Sequence, residues 1–182
     1  MKYVVFFSYD GLTDPLGQSQ VIPYKQHLAK LGYRFKIISY EKQHNPKIEK
    51  KVISIIGENN WVKIKFRRGV LGKLINIILG IISIKKITKK NNISFFHLRG
   101  FIPALIFFLS FVKIKYLYDY RSFAVGEHVD TKNIRENSMI HKLFSKIDSA
   151  MVKKSSGIVV LESYAKKLLF DTYNLKHKII ET

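Results

Sequence analysis

Three strings in this 182-residue sequence carry side chains that could do chemistry. The first, Tyr9-Asp10-Gly11-Leu12-Thr13-Asp14-Pro15-Leu16-Gly17-Gln18-Ser19-Gln20, follows an apolar run and precedes a helical pattern. Gly17 has no Cβ to keep a phosphate from the backbone, and the free N–H groups of a helix start favour an anion there. The string is neither GxGxxG nor GxxxxGK[ST], so no nucleotide fingerprint is present, and a Pro/Gly/Asp loop is equally readable as a plain turn. The second string holds His97 and Arg99. His97 follows two Phe residues and reads equally as a hydrogen-bonded core histidine or a ligand contact. Arg99 is the stronger candidate, because a buried guanidinium needs partners. The third holds Asp119 and Arg121, which share a parity in an extended segment and can pair. Both a functional role and a structural ion pair stay open for them.

Other chemistries find little support. The chain has no Cys, which excludes a disulfide scaffold, a thiolate metal site and a cysteine nucleophile. Its 6 His residues show no HExxH or paired ligand spacing, and no GxSxG turn exists, so no metal is expected.

Positioning such residues requires a framework, and the pattern supplies one. Strand-like runs at 3 to 8, 35 to 40, 52 to 56, 62 to 66, 93 to 98, 114 to 119 and 157 to 161 are separated by helical periods. The helices are expected from about Val21 to Leu31, with Val21, Tyr24, Leu28 and Leu31 as its apolar face and Gly32 as its stop, then over 70 to 88, 102 to 112, from Met139 to Met151 and from Glu162 to Tyr173. Alternation of this kind implies right-handed crossovers and an α/β fold, a Rossmann-like parallel sheet with helices on both faces. At 47% hydrophobic and 25% charged residues the chain suits a single globular domain over 1–182. Ligands of such sheets bind at the carboxyl ends of strands, where all three strings lie.

DGLTDPLGQSQVIPY, with its following helix and LGYRFKIISYEK, closely resembles the start of family 4 glycosyltransferases of the GT-B fold. HLRGFIPAL, YLYDYRSFAVGEHVD and SSGIVVLESYAKKLL extend the likeness over essentially the whole chain. The first string is specific; each later one alone is weak. The resemblance implies the N-terminal, acceptor-side half of a retaining transferase, with two Rossmann-like domains facing each other across a cleft. Gly17 and Gln18 would approach the donor diphosphate. Asp10, His97, Arg99 and Glu127 would serve the acceptor, with Glu127, His128 and Asp130 in a mobile loop. Asp119 and Arg121 would take the catalytic strand end, where many relatives carry a histidine that Tyr118-Asp119 replaces here. The nucleotide sugar would be a co-substrate and no cofactor is implied, while the acceptor would be a glycan or lipid-linked. The donor-binding half is not in these residues, so the chain alone is expected to show negligible transfer and to need a separate or downstream donor-binding domain.

The formal charge of +19 has an uneven distribution. Between Glu58 and Asp119 there are twelve basic residues and no acidic one, a field that favours phosphate-bearing substrates, an anionic membrane face or nucleic acid. A non-catalytic module binding a polyanion is therefore the alternative reading, although no nucleic-acid-binding pattern is evident and nucleic acid is not expected. No secretion signal is evident, the apolar stretches are too short or interrupted to span a bilayer, and a cytoplasmic location, peripheral at the inner membrane face, fits. Helix 70 to 88 carries Leu71, Leu74, Ile75, Ile78 and Ile82 at helical spacing. The first expectation is that this stripe packs on the sheet; the alternative is shallow docking on an anionic leaflet.

Overall fold

The computed structural model describes residues 2–121, 138–173, 175 and 179–181. Among these residues seven strands form one parallel sheet: β1 (Tyr3–Ser8), β2 (Phe35–Glu41), β3 (Trp61–Lys65), β4 (Ile93–Arg99), β5 (Tyr116–Asp119), β6 (Gly157–Val160) and β7 (Ile179–Glu181). Their order across the sheet is β3-β2-β1-β4-β5-β6-β7. The chain first works outward from β1 in one direction and then returns to the other side of it at β4. Such a reversal opens a crevice between the carboxyl ends of the two central strands.

Among the described residues the α-helices are α1 (Ile22–Lys30), α2 (Pro46–Ile56), α3 (Gly69–Lys90), α4 (Phe101–Leu109), α5 (Met139–Lys154) and α6 (Ser163–Tyr173). Right-handed crossovers put α1 and α2 on one face of the sheet and the rest on the other. Two apolar cores result. Phe6, Leu12, Val21, Ile22, Ile37, Val52 and Trp61 fill the α1/α2 side. A larger cluster, including Val5, Phe7, Phe96, Leu98, Tyr118 and Met151, fills the other. Alternate residues of β1 serve opposite cores, which is why its sequence is apolar almost throughout.

Three expectations change. Residues 52 to 56 are not a strand but the end of α2. Asn45 caps this helix by accepting from the Ile48 N–H at 3.2 Å, Pro46 opens it, and its Ile48, Val52 and Ile55 follow helical spacing. In α1 the buried positions are Ile22 and Lys25, beside Val21 of the π-helical turn at Gly17–Val21, while Tyr24 and Leu31 of the expected apolar face are exposed.

The third change concerns α3. Its apolar stripe does not pack on the sheet; Gly72, Asn76, Gly80, Ile84 and Ile87 do. Asn76 is the anchor. Its side chain accepts from the Arg67 N–H at 3.2 Å and donates to Arg67 O at 3.0 Å and to the Tyr9 hydroxyl at 3.1 Å. Its own carbonyl accepts from the Tyr40 hydroxyl at 2.6 Å. Gly80 lets the helix come close: a Cβ there would stand 2.4 Å from the Tyr40 hydroxyl and 2.8 Å from Ile106 Cγ2. Small residues inward leave the bulky apolar ones outward.

Gly80→Ala should therefore destabilise the fold by about 1–2 kcal/mol in urea denaturation, since overpacking outweighs the small gain in helix propensity. An unchanged or raised midpoint would contradict this close packing.

Candidate functional site

Strand register assembles the site. Ser8, Arg99 and Asp119 stand side by side on β1, β4 and β5, at their carboxyl ends. Within β4 and β5, Phe96, Leu98 and Tyr118 point into the larger core, so His97, Arg99 and Asp119 point to the α1 face, with Arg121 two residues beyond.

Asp119 is the centre of this group and is almost fully buried. Arg121 Nη2 donates to its Oδ2 at 2.8 Å, and Arg121 Nε lies 2.7 Å from Oδ1. His97 Nε2 is 3.4 Å from Oδ2, and the imidazole ring meets Phe6 edge-on at 4.8 Å. Burial opposes the charge on Asp119, but His97 and Arg121 outweigh it and hold the carboxyl below its usual range. Burial pushes His97 the other way, below the ordinary histidine value. The charges of Lys25 and Arg121 add to that push, and Asp119 partly offsets it. At neutral pH the imidazole is uncharged, and it can donate to Asp119 only as the Nε2–H tautomer.

Arg99 reaches forward of this group. Its Nη2 donates to Gln20 Oε1 at 2.6 Å, tying β4 to the helical turn that precedes α1. In front lies a cleft of about 470 Å³. Tyr9, Asp10, Gln20, Arg99 and Arg121 supply its polar lining, and Leu16, Phe101, Ile102, Pro103 and Leu161 its apolar one. Two guanidiniums on one wall suit an anionic ligand, because each offers paired donors to phosphate or carboxylate oxygens. A smaller cavity of about 280 Å³, lined in part by Tyr3, Arg34 and Phe35, lies at the amino ends of β1 and β2, away from the crevice.

The loop after β1 is set by a carboxylate from within the chain. Glu41, at the end of β2, accepts from the backbone N–H of Leu12 at 2.9 Å and Thr13 at 3.1 Å, from the Thr13 hydroxyl at 2.5 Å and from Ser39 at 2.6 Å. Asp14 accepts from the Gly11 N–H at 3.1 Å, and Lys42 bridges Asp10 and Asp14 at 3.2 and 3.1 Å. These loop amides are thus already occupied. Gly17 is buried, and a Cβ on it would lie 2.1 Å from Gly11 O and 2.6 Å from Leu12 Cα. Its bareness serves the chain's own folding back. Gln18 is partly exposed and donates to Thr13 O at 3.1 Å.

Of the residues singled out in the sequence, Asp10, Arg99 and Arg121 line the cleft and Asp119 and His97 stand behind them. Gly17 and Gln18 shape the loop without lining it. Glu127, His128 and Asp130 lie outside the described residues. Gln20, Glu41 and Lys25 were not anticipated. Gln20 closes the same DPLGQSQ string and Glu41 closes a strand, so both carried a positional signal. Lys25 carried none. Among the described residues its Nζ has no hydrogen-bond partner, and it sits 4.1 Å from the Phe6 ring centroid and 4.0 Å from that of Phe35. Burial pulls its pKa down to about 7 against the opposing pull of Asp119, while the two aromatic faces favour the cation. Among the described residues no group of three His, Cys, Asp or Glu side chains could hold a metal ion.

No protein-family model matches the sequence, and no curated protein matches it. Solved structures do. A chain of sucrose-phosphate synthase from Thermosynechococcus elongatus aligns at a TM-score of 0.56 and 10% identity, over 99% of this chain and 87% of that one. A second chain of the same enzyme aligns at a TM-score of 0.62 and 11% identity, over 98% of this chain and 47% of that one. The protein thus spans about half the length of the second. At such identity the likeness is one of fold: a Rossmann-like α/β domain of the kind that builds GT-B glycosyltransferases.

NMR titration of the His97 imidazole tests the electrostatics. Its midpoint should lie below the ordinary value of about 6.5, and Asp119→Asn should lower it further by removing the charge of Asp119, which raises it. Because the folded state binds this proton less readily than the unfolded one, His97 should erode stability as pH falls below about 6.5. A midpoint above the ordinary value would contradict the buried neutral imidazole.

Proposed function

We propose that this domain is the acceptor-side half of a retaining GT-B glycosyltransferase of the family 4 type, moving a sugar from a nucleotide-sugar donor to a glycan or lipid-linked acceptor. The observation that carries the reading is the cleft at the β1/β4 reversal, with Arg99 and Arg121 on its polar wall. The fold likeness supports it.

The arrangement suggests a division of labour. Arg99 and Arg121 would meet negative charge, whether on an acceptor phosphate or on the diphosphate that departs as the glycosidic bond to the donor breaks. Asp119 is poorly suited to carry a proton, since both its oxygens face cations or the imidazole and its carboxyl is held ionised. It would act as a positioning residue, aiming Arg121 and fixing the His97 tautomer. Asp10, half-exposed in the cleft lining, would accept from sugar hydroxyls. Gln18 would face the donor diphosphate from a turn that Gly17 makes sterically possible. A donor-binding half would complete the site from the opposite side and supply most of the nucleotide contacts. Alone, this domain should show negligible transfer.

A transfer assay with a panel of nucleotide sugars tests the proposal. The isolated chain should stay at background, and turnover should appear when a donor-binding half is present in cis or in trans. In that assembly Arg99→Ala and Asp119→Asn should each lower kcat/KM by about 10²-fold. Rates unchanged in Gly17→Ala, Arg99→Ala and Asp119→Asn alike would defeat the site. Binding to polyanions of any kind, with no transfer in any assembly, would favour a non-catalytic basic module.

A further inference from the structure

We propose that the outward face of α3 is a docking surface for an anionic lipid bilayer. The inference rests on exposure and charge, independently of the transferase reading. Val70 is 86% exposed, Leu71 76%, Leu74 56%, Ile75 42%, Ile78 49% and Ile82 42%. From Leu71 to Ile82 these positions recur at three- and four-residue spacing, so they form one continuous stripe. Nothing within the described residues covers it, and the helix does not need it for the fold, since Gly72, Asn76, Gly80, Ile84 and Ile87 make the inward contacts. An apolar strip of this size on a soluble surface is costly unless a partner covers it.

Charge says what the partner is. Projected down the helix axis at about 100° per residue, Lys85 and Lys89 fall on the stripe itself, so the apolar face runs on into lysines over the last turns. Lys86 and Lys90 flank them, and Arg68 precedes the helix, all exposed. The helix contains no acidic residue, and none occurs anywhere between Glu58 and Asp119. A protein partner or a second copy of this chain would have to place acidic groups around an apolar centre, and this surface has none to offer a copy of itself. An anionic leaflet presents both features together, acyl chains for the stripe and phosphates for the lysines. No helix among the described residues is long and apolar enough to cross a membrane, which leaves α3 to lie in the interface plane.

Topology fixes the orientation. α3 begins where β3 ends, so Val70, Leu71 and Leu74 lie at the carboxyl edge of the sheet, the edge that carries the cleft. Docking through this face would bring the cleft close to the lipid surface, where a lipid-linked acceptor would be delivered; this last consequence rests on the transferase reading.

Sedimentation of the chain with vesicles decides the matter. Binding is expected to phosphatidylcholine vesicles carrying about one-third phosphatidylglycerol, and to weaken at least tenfold with phosphatidylcholine alone or in high salt. Leu74→Glu/Ile78→Glu and Lys85→Glu/Lys89→Glu should each reduce binding at least tenfold while the urea midpoint stays that of the parent, because all four side chains are exposed. No preference for anionic vesicles would overturn the proposal. So would wild-type binding by Leu74→Glu/Ile78→Glu, or a dimer in gel filtration that this variant dissociates while vesicle binding is absent.

Discussion

A carboxylate can be buried only if donors come to it, and three buried carboxylates organise this domain. Glu41 draws in the backbone N–H groups of Leu12 and Thr13 and so shapes the loop at the head of the cleft. Asp119 draws in Arg121 and contacts His97, fixing the cationic wall. Asp148, inward on α5, accepts from the hydroxyls of Tyr120 at 2.9 Å and Tyr173 at 2.8 Å, joining β5 to α5 and α6. Burial raises the Asp148 carboxyl above its usual range even with tyrosine donors, whereas Asp119, paired with a guanidinium, is lowered. The contrast separates a structural clamp from a charged site: neutral donors hold the first, a cation the second.

The order of elements was largely legible, because strands buried on both faces read as unbroken apolar runs and their parity then assigns faces. Parity also anticipated that Asp119 and Arg121 can pair, and they do. The sequence misled where apolar content and period disagreed. VISII looks like a strand by composition, yet it is the last part of a helix opened by Asn45-Pro46. Over residues 69 to 84 of α3 only Lys73, Asn76 and Ser83 are polar, so the stripe with the bulkiest residues looked like the inward face. Gly72, Asn76 and Gly80 form the real one, since closeness to Tyr40 and Ile106 demands small side chains there. Glu41 and Gln20 were missed because their partners lie 29 and 79 residues away, contacts that only the sheet order creates.

The same charge imbalance serves two surfaces differently. At the cleft, Arg99 and Arg121 are held by Gln20 and Asp119, and their donors are presented in fixed directions. On α3 the lysines are exposed and free to follow a diffuse field. Fixed guanidiniums suit a discrete anion and mobile ammonium groups suit a charged plane. The first surface carries the proposed chemistry and the second its place of work.

The claim that everything else serves is that the β1/β4 reversal is where an anionic ligand binds. Chemical-shift mapping of the chain with pyrophosphate, the anionic part that the two guanidiniums would meet, tests it most directly. Perturbations should gather at Gln20, Arg99, Gly100 and Arg121 and vanish in Arg99→Ala. Perturbations that spare these residues, or that gather instead at Tyr3, Arg34 and Phe35 at the opposite edge of the sheet, would contradict it.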